Sequence, residues 1–194
     1  MRLATRMSRL GTETAFEVLV RAQALESAGR DVVHLEIGEP DFDTPAHIIE
    51  AGCHALRTGW THYGPAAGQP ELREAIAAYL NRSRGTRYGP EHIVVTPGGK
   101  PVMFFTILAL LERGDEAIYP NPGFPIYESM INFTGATPVP IPLREERAFA
   151  LDVNELASLI TPRTRLLIIN SPGNPTGGVL SRDDLAAIAE LAVK

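Results

Sequence analysis

Cysteine occurs once in the 194 residues, at Cys53, so the chain closes no intrachain disulfide and assembles no thiolate metal cluster. Its setting in AGCHAL, a helical-looking stretch, reads as a small buried residue rather than a reactive thiol. Long apolar runs are missing as well. The longest, PVMFFTILALL, is too short to span a bilayer and predicts a buried helix. Positive charge is not in excess: 18 Lys and Arg against 23 Asp and Glu leave a net charge of −5, which gives nonspecific polyanion binding no electrostatic support. Arg2, Arg6 and Arg9 precede no apolar signal core, and a cytoplasmic protein is expected. Neither a Walker-type GxxxxGK[ST] nor GxGxxG, HExxH or GxSxG is present. The five histidines show no metal-ligand spacing, so no metal site is assigned.

What is present suits a folded domain. The hydrophobic fraction is 44% and the charged fraction 21%, ordinary for a globular chain of this length. The pattern predicts a helix over 12–29, capped by Thr12 or Thr14 and closed by Gly29. A short strand and a turn-rich loop follow in DVVHLEIGEPDFDTP. Thr44 with Pro45 opens a helix to about Arg57, and PELREAIAAYLNRS is a further helix with Leu72, Ile76, Tyr79 and Leu80 as its apolar positions. From residue 92 onward strands alternate with helices. HIVVTP, DEAIYPN, the proline-rich ATPVPIPL and RLLIIN are extended, and the helices between and after them include one capped by Asp152 and a last one opened by Ser181 and Asp183. This alternation predicts a three-layer α/β fold with a mostly parallel sheet. No Gly, Asn or Pro closes the last helix, and such sheets run on past a helix of this kind, so the sequence reads as continuing.

Three glycine- and proline-rich turns sit on strand-to-helix connections, where open α/β sheets place ligands. TPGGKP carries Gly98 and Gly99, which let a ligand approach the backbone, and Pro101 in a first helical turn whose N–H groups suit a phosphate. NPGFPIYE holds Phe124 between Gly123 and Pro125, either as a core ring or as a platform for a flat partner; Tyr127, one turn on, either points the same way or is buried. NSPGNPTGG brackets Asn174 with Gly173 and Pro175, as a turn former or as a fixed amide in a binding site.

Taken together and in this order, NSPGNPTG, LEIGEPDFDTP, THYGPAAGQPELREAI and YPNPGFPIYE resemble the class I, aspartate aminotransferase-like branch of the fold-type I pyridoxal phosphate enzymes. The resemblance runs from about residue 9 to the end and covers roughly the first half of a family member. It implies that residues 1–45 form an arm and helix belonging to a small domain and that 46–194 form the first part of the large cofactor-binding domain. By the same resemblance, Gly38 contacts the substrate carboxylate. Tyr63 reaches across a homodimer to the partner's cofactor phosphate. Gly98, Gly99 and Lys100 cradle the phosphate. Phe124 stacks on the pyridine ring, and Asn174 bonds its phenolic oxygen, both also meeting substrate, while Asn170 stabilises the turn. A planar cation suits a π-face, and a phenolate suits an amide donor.

The resemblance also implies a Schiff-base lysine. The two lysines here, Lys100 and Lys194, do not stand at the family's position, so no catalytic residue is assigned. Lys100 either adds charge near the phosphate or points to solvent. The implied activity is amino-group transfer from an amino acid to a 2-oxo acid with pyridoxal 5'-phosphate as cofactor. Related lyase chemistry, a non-catalytic aminotransferase-like domain and an inactive fragment are the alternatives.

Overall fold

A computed structural model describes residues 2–11 and 14–193. The chain divides into two compact units, Ala15–Gly99 and Met1–Thr14 together with Lys100–Lys194. No helix among the described residues is long and apolar enough to cross a membrane.

The first unit is helical. Helix α1 spans Thr14–Ser27, α2 spans Ala46–Arg57 and α3 spans Pro70–Arg84. The expected cap Thr12 lies outside the described residues. Gly29 stops the chain beyond α1 with φ +82°, as its position suggested. The N-cap of α2 is Pro45, with no side-chain cap bond, so Thr44 stands one place too early for the capping role expected of it. Pro70 opens α3, and Gly85, left-handed at φ 67°, closes it. Ala77 is the buried residue of α3, while Leu72 and Tyr79 are exposed. The close packing in this unit therefore uses small side chains. Cys53 is half-buried, not fully buried as expected.

Two expected strands in this unit are irregular chain. Residues 31–37 form no ladder, with Val33 and Leu35 turned outward, 81% and 89% exposed. Residues 93–96 are claimed by other partners: Arg73 Nε donates to the Ile93 carbonyl at 2.9 Å, and the Val95 N–H donates to the Ala67 carbonyl at 2.9 Å. β-branched composition proposes a strand, but a strand exists only where a second backbone pairs with it.

The second unit carries the sheet. Helix α4 spans Gly99–Leu110, β1 Glu116–Asn121, α5 Ile126–Thr134, β2 Thr137–Pro142, α6 Val153–Leu159, β3 Thr164–Leu167 and α7 Arg182–Val193. The strand order is β2-β1-β3, and both pairings are parallel. Strand β2 carries Pro138, Pro140 and Pro142, which donate nothing to a ladder, and it pairs on one side only.

Alternation along β1 sets the layers. Ala117 and Tyr119 face one way and join Ile107 and Leu111, Tyr127, Met130 and Ile131 of α5 in one core. Ile118 faces the other way and joins Ile141, Leu156 of α6 and Ile188 of α7 in a second. The fold is thus helices, parallel sheet, helices. Ile107, Ile118, Ile131, Ile141 and Leu156 are each under 2% exposed. Burying each contributes about 1.5–3 kcal/mol relative to exposure. The apolar helix α4 is buried along one face only; Val102, Phe105, Leu108 and Leu110 on its other faces are exposed, which corrects the expectation of a buried helix.

Local chemistry fixes the element ends. Asp152 caps α6 as expected, accepting from the N–H groups of Asn154 at 2.9 Å and Glu155 at 3.3 Å. A reciprocal capping box opens α7: Ser181 Oγ accepts from the Asp184 N–H at 3.1 Å, and Asp184 accepts from the Ser181 N–H at 3.0 Å. The box uses Asp184, at the third helical position, rather than the expected Asp183. Glu116, buried at the start of β1, accepts from Thr161 Oγ1 at 2.5 Å and from Arg163 Nε at 2.8 Å. These two donors hold its carboxyl below the usual carboxylate range, the threonine having the larger effect.

Candidate cofactor site

Strands β1 and β3 run parallel and side by side, so the turns that follow them leave the same edge of the sheet. The turn after β1 carries Phe124, and the turn after β3 carries Asn174. Pro120 of β1 and Asn170, just beyond the end of β3, line one small cleft, together with Leu143, Phe149 and Leu180. This carboxyl edge is where parallel sheets gather ligand-binding turns.

Phe124 is half-buried and packs against the core cluster that contains Tyr119 and Tyr127. Its ring meets that of Tyr127 edge-on, with centroids 6.1 Å apart and planes at 85°. The two sequence readings of this ring are therefore compatible: the ring packs on the core and part of it stays accessible. Gly123 is required beside it, because a Cβ there would overlap the Pro120 carbonyl oxygen. Tyr127 itself is buried, which decides between the two directions open to it in the sequence. Burial pushes its phenol up, and the side chain of Asn170 opposes that shift. Asn170 thus bears on Tyr127, a link across 43 positions that no motif spacing announces.

The Asn174 turn is tightly braced. The Gly173 N–H donates to the Gly178 carbonyl at 2.8 Å, and the Gly177 N–H donates to the Gly173 carbonyl at 2.7 Å. Ser171 Oγ accepts from the Leu180 N–H at 2.9 Å. The peptide bonds Asn121–Pro122, Ser171–Pro172 and Asn174–Pro175 are cis. Asn174 is exposed at the tip, and none of the turn's bracing bonds uses its side-chain amide.

Gly98 and Gly99 form the approach to α4. Gly98 adopts φ +90°, its carbonyl accepts from Thr96 Oγ1 at 2.6 Å, and a Cβ on either glycine would meet nothing within 4 Å. A helix start presents backbone N–H groups outward, and the space beside Gly98 and Gly99 is open, which fits an anion. Pro101 sits within that turn at no cost in hydrogen bonds. Lys100 is exposed on the same turn.

Gly38 lies in the irregular segment after α1, exposed and with open space around its α-carbon. Tyr63 stands fully in solvent, at 108% relative exposure, in the loop before α3. Of the residues singled out in the sequence, Gly38, Tyr63, Gly98 and Gly99 belong to the first unit, and Lys100, Phe124 and Asn174 to the second. Within the second unit the sheet brings the Phe124 and Asn174 turns to one edge. Among the described residues no group of three His, Cys, Asp or Glu side chains is arranged to hold a metal.

Residues 30–194 match the family model for "Aminotransferase class I and II". The chain is 43% identical over 192 residues to a probable aspartate/prephenate aminotransferase of Aquifex aeolicus, covering 99% of this chain and 49% of that one. It is 46% identical over 176 residues to an aspartate aminotransferase of Pyrococcus horikoshii, covering 91% and 44% respectively. Among solved structures, the aspartate aminotransferase from Thermus thermophilus with maleate superposes with a TM-score of 0.94 at 42% identity, over 100% of this chain and 51% of that one. The chain spans about half the length of the curated relatives it matches.

Proposed function

We propose, from the premise that the chain belongs to the class I and II aminotransferase family, that the protein moves an amino group from an amino acid to a 2-oxo acid. Enzymes of this family use pyridoxal phosphate, which when bound withdraws electron density from the substrate's α-carbon. The residues fit such a group. Gly98, Gly99 and Lys100 would hold the phosphate at the start of α4, where backbone N–H groups and open space coincide. Phe124 would support the flat ring, braced by its contact with Tyr127. The amide of Asn174 would donate to the ring's phenolic oxygen. Gly38, with no side chain in the way, would let its backbone meet the substrate carboxylate.

The observation that carries this reading is the common carboxyl edge of β1 and β3, from which the Phe124 and Asn174 turns emerge. The relatives' names make aspartate the first amino donor to test. Exposure of Tyr63 supports its reach toward the partner in a homodimer.

Pyridoxal phosphate titrated into the purified protein, followed by ring circular dichroism and phosphorus NMR, tests the site. F124A and N174A each weaken binding about tenfold, the effect of losing about 1.4 kcal/mol. Equal affinity in wild type and both variants would sink the reading. Borohydride reduction followed by peptide mapping checks Lys100 separately: the lysine stays unmodified if it serves the phosphate alone.

A further inference from the structure

The segment that leads from α1 to Gly38 is held in an unusual way. Among the described residues no backbone-to-backbone hydrogen bond ties down residues 31–44. Of its large apolar side chains, Val33 and Leu35 are turned to solvent, while Val32 and Ile37 are half-buried. The ion-pair tie between this segment and α1 is His34. The imidazole Nδ1 stands 2.6 Å from Glu36 Oε1, and Nε2 stands 3.0 Å from Glu26 Oε1 near the end of α1.

Both ring nitrogens therefore face carboxylate oxygens, which only accept. A neutral imidazole has one N–H donor and would turn a lone pair toward one of the two carboxylates. Only the imidazolium satisfies both contacts. We propose that protonated His34 is a positioning residue, clasping the Gly38 segment to α1, and that loss of its proton frees the segment. The consequence for substrate rests on the reading of Gly38 given above; the clasp does not.

The charged groups bearing on His34 are Glu36 on its own segment and Glu26 on α1. Both raise its pKa, Glu36 more, and His34 in turn lowers that of Glu36. His34 is bound most firmly below its unfolded value, and the clasp is lost as pH rises through the raised folded value. At the acid end it is lost as pH falls through the lowered value of Glu36. The clasp is closed between these limits.

Histidine and backbone NMR on the full chain test this without cofactor or substrate, so the outcome is independent of the enzymatic reading. His34 titrates above the ordinary value of about 6.5, and E26Q and E36Q each lower its pKa. Backbone order parameters of Leu35–Gly38 are near 0.85 at acid-to-neutral pH and drop toward 0.6 once His34 is neutral. H34R, permanently charged, keeps the segment ordered at both pH values, and H34Q leaves it loose at both. Order parameters that ignore pH in wild type, or that match wild type in H34Q, overturn the proposal. In the loaded enzyme, a KM for the amino acid that rises through the His34 pKa in wild type but stays flat in H34R supports the link to substrate. A flat KM in wild type beside a titrating clasp overturns that link alone.

Discussion

Arg9 donates from Nε to the carbonyl of Asn132 at 2.8 Å, across 123 positions of sequence, and from Nη2 to Phe133 at 3.0 Å. The last carbonyls of a helix lack intrahelical donors, and a cation there also meets the negative end of the dipole. Gly11 adds a second stitch, its N–H donating to Ser129 Oγ at 3.0 Å. The N-terminal segment is thus fastened to α5, the helix that begins just after Phe124. R9A destabilises the protein by about 1–2 kcal/mol, and R9K recovers part of that. Urea unfolding midpoints at constant slope measure it; an R9A midpoint equal to wild type rules the cap out.

G123A tests the turn that presents Phe124. The added methyl would overlap the Pro120 carbonyl, which belongs to the central strand and has little freedom to shift. Relief by backbone movement costs about 1–3 kcal/mol. Thermal unfolding reports that cost, and pyridoxal phosphate affinity falls with it. A stable G123A with undiminished affinity would show the turn to be tolerant.

Asp152 makes the stability of α6 pH-dependent. The Glu155 N–H, and with smaller effect the Asn154 N–H and Arg147, hold its carboxyl below the usual range. A depressed folded pKa contributes stability that is present above the unfolded value and lost as pH falls through the folded one. D152N, which keeps an oxygen at the cap, flattens this acid-side loss, whereas D152A lowers stability across the whole range. Unfolding curves for the three proteins between pH 7 and the acid limit discriminate; parallel curves would assign the acid loss elsewhere.

Tyr119 behaves oppositely, at the alkaline end. Burial, then the charge and hydrogen bond of Glu128, push its phenol up to about 12. Its contribution is complete below the unfolded value of about 10 and is lost as pH rises toward the folded one. Phenolate absorbance shows one tyrosine titrating near the top of the range, absent in Y119F and shifted down in E128Q. A Y119F titration identical to wild type contradicts the assignment.

Much of the second unit was legible in the sequence because its signals are local or periodic. DEAIYPN read as extended and formed β1, prolines marked β2 as an edge, Asp152 announced its cap, and Gly29 placed the end of α1. The two failed strands, at 31–37 and 93–96, share one cause. Their composition favoured extended chain, but a ladder depends on a neighbour that no local pattern contains. Ser181 and Asp183 mark the opening of α7 in the sequence, but the box closes on Asp184, because a shift of one helical position decides which carboxylate reaches back to the cap.

For the site, sequence alone determined the residue types: glycines before α4, a ring between Gly123 and Pro125, an amide in a proline-braced turn. Those follow from backbone freedom and side-chain chemistry, which each residue carries wherever it stands. Tertiary structure decided which of them share an edge, that Tyr127 is buried against Phe124, that Asn170 bears on Tyr127, and that His34 sits between Glu26 and Glu36. The shared edge and the Asn170–Tyr127 link depend on parallel pairing between segments distant in sequence, while the Phe124–Tyr127 and His34 contacts depend on how the chain bends over a few residues, which composition does not fix.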